Sequence, residues 1–338
     1  MSSKKNFPRV ILVILAILLV SGPSILIRYK LNYPAKLGPK FNPIIKNEPL
    51  INIESEKPAI VLIGDSTLGE GVDETLLSDE LGLVTYRAAI PGSGTAAWYL
   101  FMKNIIFEAD FQPDYVVVLF RTTILTIPQY RTGGKYFYLL DDYARKEEPL
   151  VADLAFVKLM NPLEKFTAQY IPAYAARVDI RKDLDNALRY PLPALVGCDH
   201  PCTDDAVGSI FGREVDPLAL NVAQEDAAKL LYAPEEMDFD HQVETSLLPY
   251  MIKLTQQHGV TLILVRTKVY GPETPELKQY TKDLDEYLAA QEGVILLDYA
   301  SDPRILESYY ADTLHMNPYG KHEFTKILAD DLRNIILK

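Results

Sequence analysis

The 338-residue chain is short of positive charge, cysteine and histidine: 34 Lys and Arg stand against 46 Asp and Glu, with two Cys and five His. A net charge of −12 argues against a broad nucleic-acid footprint, which needs a basic face to release counterions from phosphates. No nucleic-acid partner is therefore expected. The two cysteines, Cys198 and Cys202 in GCDHPCTDD, would make a sparse and unusual zinc set even with Asp199 and His200 between them. No metal and no cofactor are expected. A phosphate-cradling loop is also missing, because Gly92 and Gly94 in RAAIPGSGTA lack the third glycine and the lysine.

What is present fits a globular protein with ample core, at 48% hydrophobic and 24% charged residues. The charge is unevenly placed. Up to residue 55 there are eight Lys or Arg against Glu48 and Glu54, so the remainder carries −18. This basic segment encloses the uncharged run VILVILAILLVSGPSILI, residues 10–27, about 27 Å long as a helix and enough to cross a hydrocarbon core. SGPSILIRYK offers a poor cleavage site, so an uncleaved transmembrane signal anchor is expected over a cleaved signal peptide. Basic residues flank the run on both sides, and the charge rule does not orient it. The expected organisation is a cytoplasmic tail at 1–9, the anchor at 10–27, a tether at 28–57 and an extracytoplasmic domain at 58–338.

From Pro58 onward, short apolar runs alternate with amphipathic stretches. The runs at 59–63, 83–88, 115–120, 261–265 and 294–298 are rich in β-branched residues, as strands buried on both faces are. Helical spacing covers 96–109, 242–259, 275–293 and about 319–337. The expected fold is α/β, a five-stranded parallel sheet in flavodoxin-like order between helical layers, with its ligand crevice at the carboxyl ends of the first and third strands. Residues 121–241 break the rhythm as one large insertion rich in tyrosine, including Tyr130, Tyr136, Tyr138, Tyr143, Tyr170, Tyr174 and Tyr190. Such an insertion at the carboxyl edge is expected to cover or shape the site.

Ser66 lies in VLIGDSTLGE, three residues past the first strand, where a sharp turn at Gly64 would direct a side chain into the crevice. A serine hydroxyl needs a base to take its proton. His258 stands at a helix end, His200 and His241 in or beside the insertion, and His322 in the last helix. His315, after the last strand, opens on the same sheet edge as Ser66. Asp312, three residues before it, would hold one imidazole tautomer and stabilise the imidazolium.

These residues resemble the SGNH or GDSL hydrolases. Gly64-Asp65-Ser66 is similar to the family's first block, and Asp312-Thr313-Leu314-His315 with Asn317 and Gly320 is similar to its last. The resemblance covers about 58–120 and 245–338. It implies a serine esterase or O-acyltransferase working through an acyl-serine, with the backbone N–H groups of Ser66 and Gly92 as oxyanion donors. The family's Gly-x-Asn-Asp after the third strand is absent, since YVVVLF runs into Arg121, Thr122 and Thr123. One of these three would have to replace the asparagine donor. The single N-terminal apolar run resembles a membrane-anchored branch that acylates surface glycans. That likeness implies acylated glycans or small esters as substrates, and a multi-span membrane acyltransferase as partner. A non-catalytic or partner domain working with a membrane acyltransferase, or a silent glycan-binding module, is the alternative. Outside the cytosol, Cys198 and Cys202 would close a small disulfide loop, with zinc or free thiols as the other readings.

Overall fold

The computed structural model describes residues 7–43, 47–203, 225, 228–233, 237–269 and 274–336. The chain groups into two compact units, one from Met1–Pro39 with Phe156–Gln224, the other from Lys40–Ala155 with Glu225–Lys338.

The second unit is an α/β sandwich. Its strands are β1 (Ile60–Gly64), β2 (Thr85–Ala89), β3 (Tyr115–Phe120), β4 (Thr261–Arg266) and β5 (Val294–Asp298). All pair in parallel, in the order β2-β1-β3-β4-β5. This is the expected sheet, with boundaries within two residues of those read from the apolar runs. Every residue of β1 is buried, because helices cover both faces and leave no solvent-facing side. Ile60, Leu62, Val117, Leu119, Ile263 and Val265 pack with Phe324, Leu328 and Leu332 of the helix Pro318–Ile336. The order reverses direction at β1, between β2 and β3, which opens a crevice beyond their carboxyl ends.

Two local differences from the sequence reading have physical causes. The stretch expected as one helix over 96–109 is α-helical over Thr95–Phe101 and continues as a π-helical turn, Met102–Ile106. Asn104 in that turn is buried and donates to the Tyr143 carbonyl and to Glu148, both at 2.7 Å, partners that a helical period does not encode. Within the tether, Asn47–Glu56 is helical and is held by the fully buried Ile53.

The first unit is helical in its described part. Its N-terminal helix runs Phe7–Arg28, and Pro162–Tyr170, Pro172–Ala175 and Arg177–Arg189 follow in the later segment. The transmembrane span expected at 10–27 falls within this N-terminal helix. Among the described residues no helix is long and apolar enough to cross a membrane, and Ser21-Gly22-Pro23-Ser24 interrupts the apolar run of the first helix. Most of the tail expected at 1–9 lies outside the described residues, as do 44–46 of the tether and 204–224, 226–227 and 234–236 of the insertion.

Candidate active site

Ser66 opens a six-residue helix, Ser66–Gly71, directly beyond β1. Asp65 caps it: its buried carboxylate accepts from the Thr67 N–H at 2.8 Å and the Thr67 hydroxyl at 2.7 Å. Capping thus falls to Asp65. The Ser66 hydroxyl is left for His315, with Oγ 2.8 Å from Nε2.

A tight loop carries His315 and Asp312. It is closed by the bridge between Tyr310 and Met316 and by the Ala311 N–H donating to the His315 carbonyl at 2.8 Å. His315 Nδ1 lies 2.8 Å from Asp312 Oδ2, while Asp312 Oδ1 accepts from the Leu314 and His315 N–H groups at 2.7 Å each. Burial works to raise the Asp312 pKa, but the donors from His315 and Leu314 outweigh it and hold the carboxyl below its ordinary value. A carboxylate that stays ionised can orient the ring and stabilise imidazolium. Asn317 secures the loop from behind, donating to the Ser308 carbonyl and accepting from the Gly320 N–H, both at 2.8 Å.

The structure therefore brings Ser66, His315 and Asp312 into one hydrogen-bonded chain. The other described histidines are elsewhere. His200 stacks on Tyr190 and His258 on Phe107, His322 meets Glu323 at 2.9 Å, and His241 is exposed on the helix Phe239–Thr245. Cys198 and Cys202 are joined in a disulfide. Among the described residues no cluster of His, Cys, Asp or Glu is arranged to hold a metal ion.

Gly92 follows β2 with φ +77°, in the left-handed region. Neither its N–H nor that of Ser66 donates to a protein acceptor among the described residues. The sequence reading missed what stands against Gly92. A Cβ there would lie 3.0 Å from the Tyr136 ring and 3.4 Å from Arg131 Nη1, and the Arg131 guanidinium sits over the rings of both Tyr130 and Tyr136. Tyr130 itself packs so closely that a Cβ on Gly94 would meet its ring at 2.8 Å. Residues 130–136 of the insertion thus wall the glycine turn. Gly92→Ala is expected to cost about 1–2 kcal/mol through the unfavourable φ and the tight contact, and to lower ester turnover at least tenfold by displacing the N–H. Urea unfolding and steady-state kinetics read the two effects separately.

The segment after β3 sorts its three donor candidates. Arg121 is buried, 3.5 Å from Asp65 Oδ2, and donates to the Tyr130 hydroxyl at 2.9 Å. Burial disfavours its charge, but Asp65 and Tyr130 more than compensate, and its pKa lies above the ordinary value. The Thr123 hydroxyl donates to the Leu231 carbonyl at 2.5 Å, so its proton is spent and Thr123 is set aside as an oxyanion donor. Thr122 is different. Its φ is +45°, a conformation that costs a β-branched residue about 1–3 kcal/mol, and its buried hydroxyl has no hydrogen-bond partner among the described residues. The Arg121 Nε is likewise buried and unpaired. Asparagine tolerates the left-handed region, so Thr122→Asn is expected to stabilise the fold by about 1 kcal/mol, read as a higher urea midpoint. No protein-family model matches this chain, and no curated protein matches it either.

Proposed function

We propose that the protein is a serine esterase or O-acyltransferase of the SGNH type that works through an acyl-serine intermediate. The observation that carries this reading is the unbroken chain from Ser66 through His315 to Asp312, with both links at 2.8 Å. In the first half-reaction His315 Nε2 takes the Ser66 proton as Oγ attacks the ester carbonyl. Asp312 stabilises the resulting imidazolium, and the N–H groups of Ser66 and Gly92 receive the oxyanion. The Thr122 hydroxyl, unspent and at the carboxyl edge of β3, is the third donor in this reading. Collapse of the tetrahedral intermediate returns the proton from His315 to the leaving alcohol. Water or a sugar hydroxyl then attacks the acyl-serine, with His315 again as base, which gives hydrolysis or transfer.

Acyl or acetyl groups on cell-surface glycans are the proposed substrates, by the resemblance of the single N-terminal apolar run and the missing asparagine after β3 to the membrane-anchored, glycan-acylating branch. An extracytoplasmic, membrane-associated location goes with this reading, supported by the Cys198–Cys202 disulfide and by the basic N-terminal segment. The second reading is a non-catalytic partner of a multi-span acyltransferase or a glycan-binding module, favoured by the absence of the asparagine donor after β3. Hydrolysis of p-nitrophenyl acetate, with and without an oligosaccharide acceptor, separates them. Turnover that the acceptor accelerates supports transfer, turnover that it leaves unchanged supports hydrolysis, and no turnover above a Ser66→Ala control supports the second reading.

A further inference from the structure

The distal half of the insertion belongs with the N-terminal helix in one helical unit. Ala35 N–H donates to the Gln169 carbonyl at 2.9 Å, the Tyr33 hydroxyl to the Tyr170 carbonyl at 3.3 Å, and Arg28 and Tyr29 both donate to Asp183, at 3.1 and 2.9 Å. The N-terminal segment is thus tied to the helices Pro162–Tyr170 and Arg177–Arg189.

Those helices turn apolar side chains outward. Leu163, Phe166 and Tyr170 recur at spacings of three and four on Pro162–Tyr170, one stripe of that helix, with Leu159 in the turn before it, and all four are exposed, Leu163 at 70% and Phe166 at 55%. Val178, Leu184 and Leu188 are exposed on Arg177–Arg189, and Leu195 and Val196 beyond it, both above 80%. On the N-terminal helix, Ile11, Leu12, Val13 and Leu15 are exposed as well. Monomeric proteins in water rarely leave so many large apolar side chains uncovered.

Charge indicates what covers them. Residues 1–39 hold six Lys or Arg and no acid, and 156–224 hold seven Lys or Arg against nine acids, so the unit carries +4 in a chain whose net charge is −12. The surplus of positive charge is therefore gathered where the apolar side chains are exposed. Apolar stripes on a unit of net positive charge match a bilayer interface, where the stripe enters the acyl boundary and cations meet anionic headgroups. A helix lying in that plane need not be long enough to span it.

We infer that this helical unit lies on an anionic lipid bilayer, with Leu163, Phe166 and Tyr170, together with Leu184 and Leu188, inserted at the headgroup boundary. This holds whether or not Ser66 is a nucleophile. The test uses the full chain on vesicles of phosphatidylcholine and phosphatidylglycerol whose acyl chains carry bromine as quencher. The single native tryptophan, Trp98, is fully buried and gives a constant background. Phe166→Trp and Leu188→Trp, both at exposed positions that tolerate the change, are expected to lose about half of their added emission to the brominated lipid. Tyr250→Trp, exposed on the α/β unit, is expected to keep its emission, and pure phosphatidylcholine vesicles are expected to bind the chain at least tenfold more weakly at low salt. Quenching at positions 166 and 188 no greater than at 250 would overturn the inference. So would cross-linking of position 166 to a second copy or another protein without quenching in these vesicles.

Discussion

His315→Ala is expected to lower ester turnover by about 10⁴- to 10⁶-fold, as loss of the base does where a serine, a histidine and a carboxylate act as one unit. The size follows from the geometry. Among the described residues His315, with Nε2 at 2.8 Å, is the only side chain bonded to Ser66 Oγ, and an unassisted hydroxyl is a poor nucleophile at neutral pH. The His315 side chain is 18% exposed on a loop whose shape depends on backbone bonds to Asp312. The variant should therefore fold with an unchanged urea midpoint. Because the three residues act together, Ser66→Ala combined with His315→Ala should fall little further than either alone. Steady-state hydrolysis of p-nitrophenyl acetate by the single and double variants checks both expectations.

Arg121→Ala has the largest expected effect on stability. The guanidinium and the Asp65 carboxylate are both about 95% buried and 3.5 Å apart. Asp65 keeps its bonds from Thr67 but would lose its countercharge, and breaking a buried pair by removing one partner costs about 3–5 kcal/mol. The midpoint of urea unfolding, followed by the emission of Trp98, reads this loss directly. Arg121→Lys restores a charge without the guanidinium whose Nη2 meets both Asp65 and Tyr130, and should recover only part of it. The pair also bears on the site, since Asp65 caps the helix that Ser66 begins.

The sheet was legible in the sequence because buried parallel strands leave a simple mark, a short β-branched run between turns, and all five runs became strands. Ser66, His315 and Asp312 were legible for a related reason: loops after parallel strands share one edge, so two residues 249 apart could be paired on paper. The oxyanion side was not. Nothing in RTTI signals that Arg121 faces Asp65, that Thr122 adopts φ +45°, or that Thr123 spends its hydroxyl on a carbonyl 108 residues away. These are tertiary facts. The insertion hid a signal that could have been read: Asn161-Pro162-Leu163-Glu164 spells a helix start, and in the structure the Asn161 and Glu164 side chains each accept from the other's N–H at 2.9 Å. Its alliance with the N-terminal segment depends on contacts such as Arg28 to Asp183, which no local pattern carries.

The proposed reaction requires Ser66 to be a nucleophile made reactive by His315. Incubating the full chain with a fluorophosphonate probe and locating the adduct by peptide mass spectrometry tests it most directly. A single phosphonylated serine at position 66 is expected, lost in Ser66→Ala and slowed by about four orders of magnitude in His315→Ala. An unlabelled chain, or labelling that persists in Ser66→Ala, would contradict it.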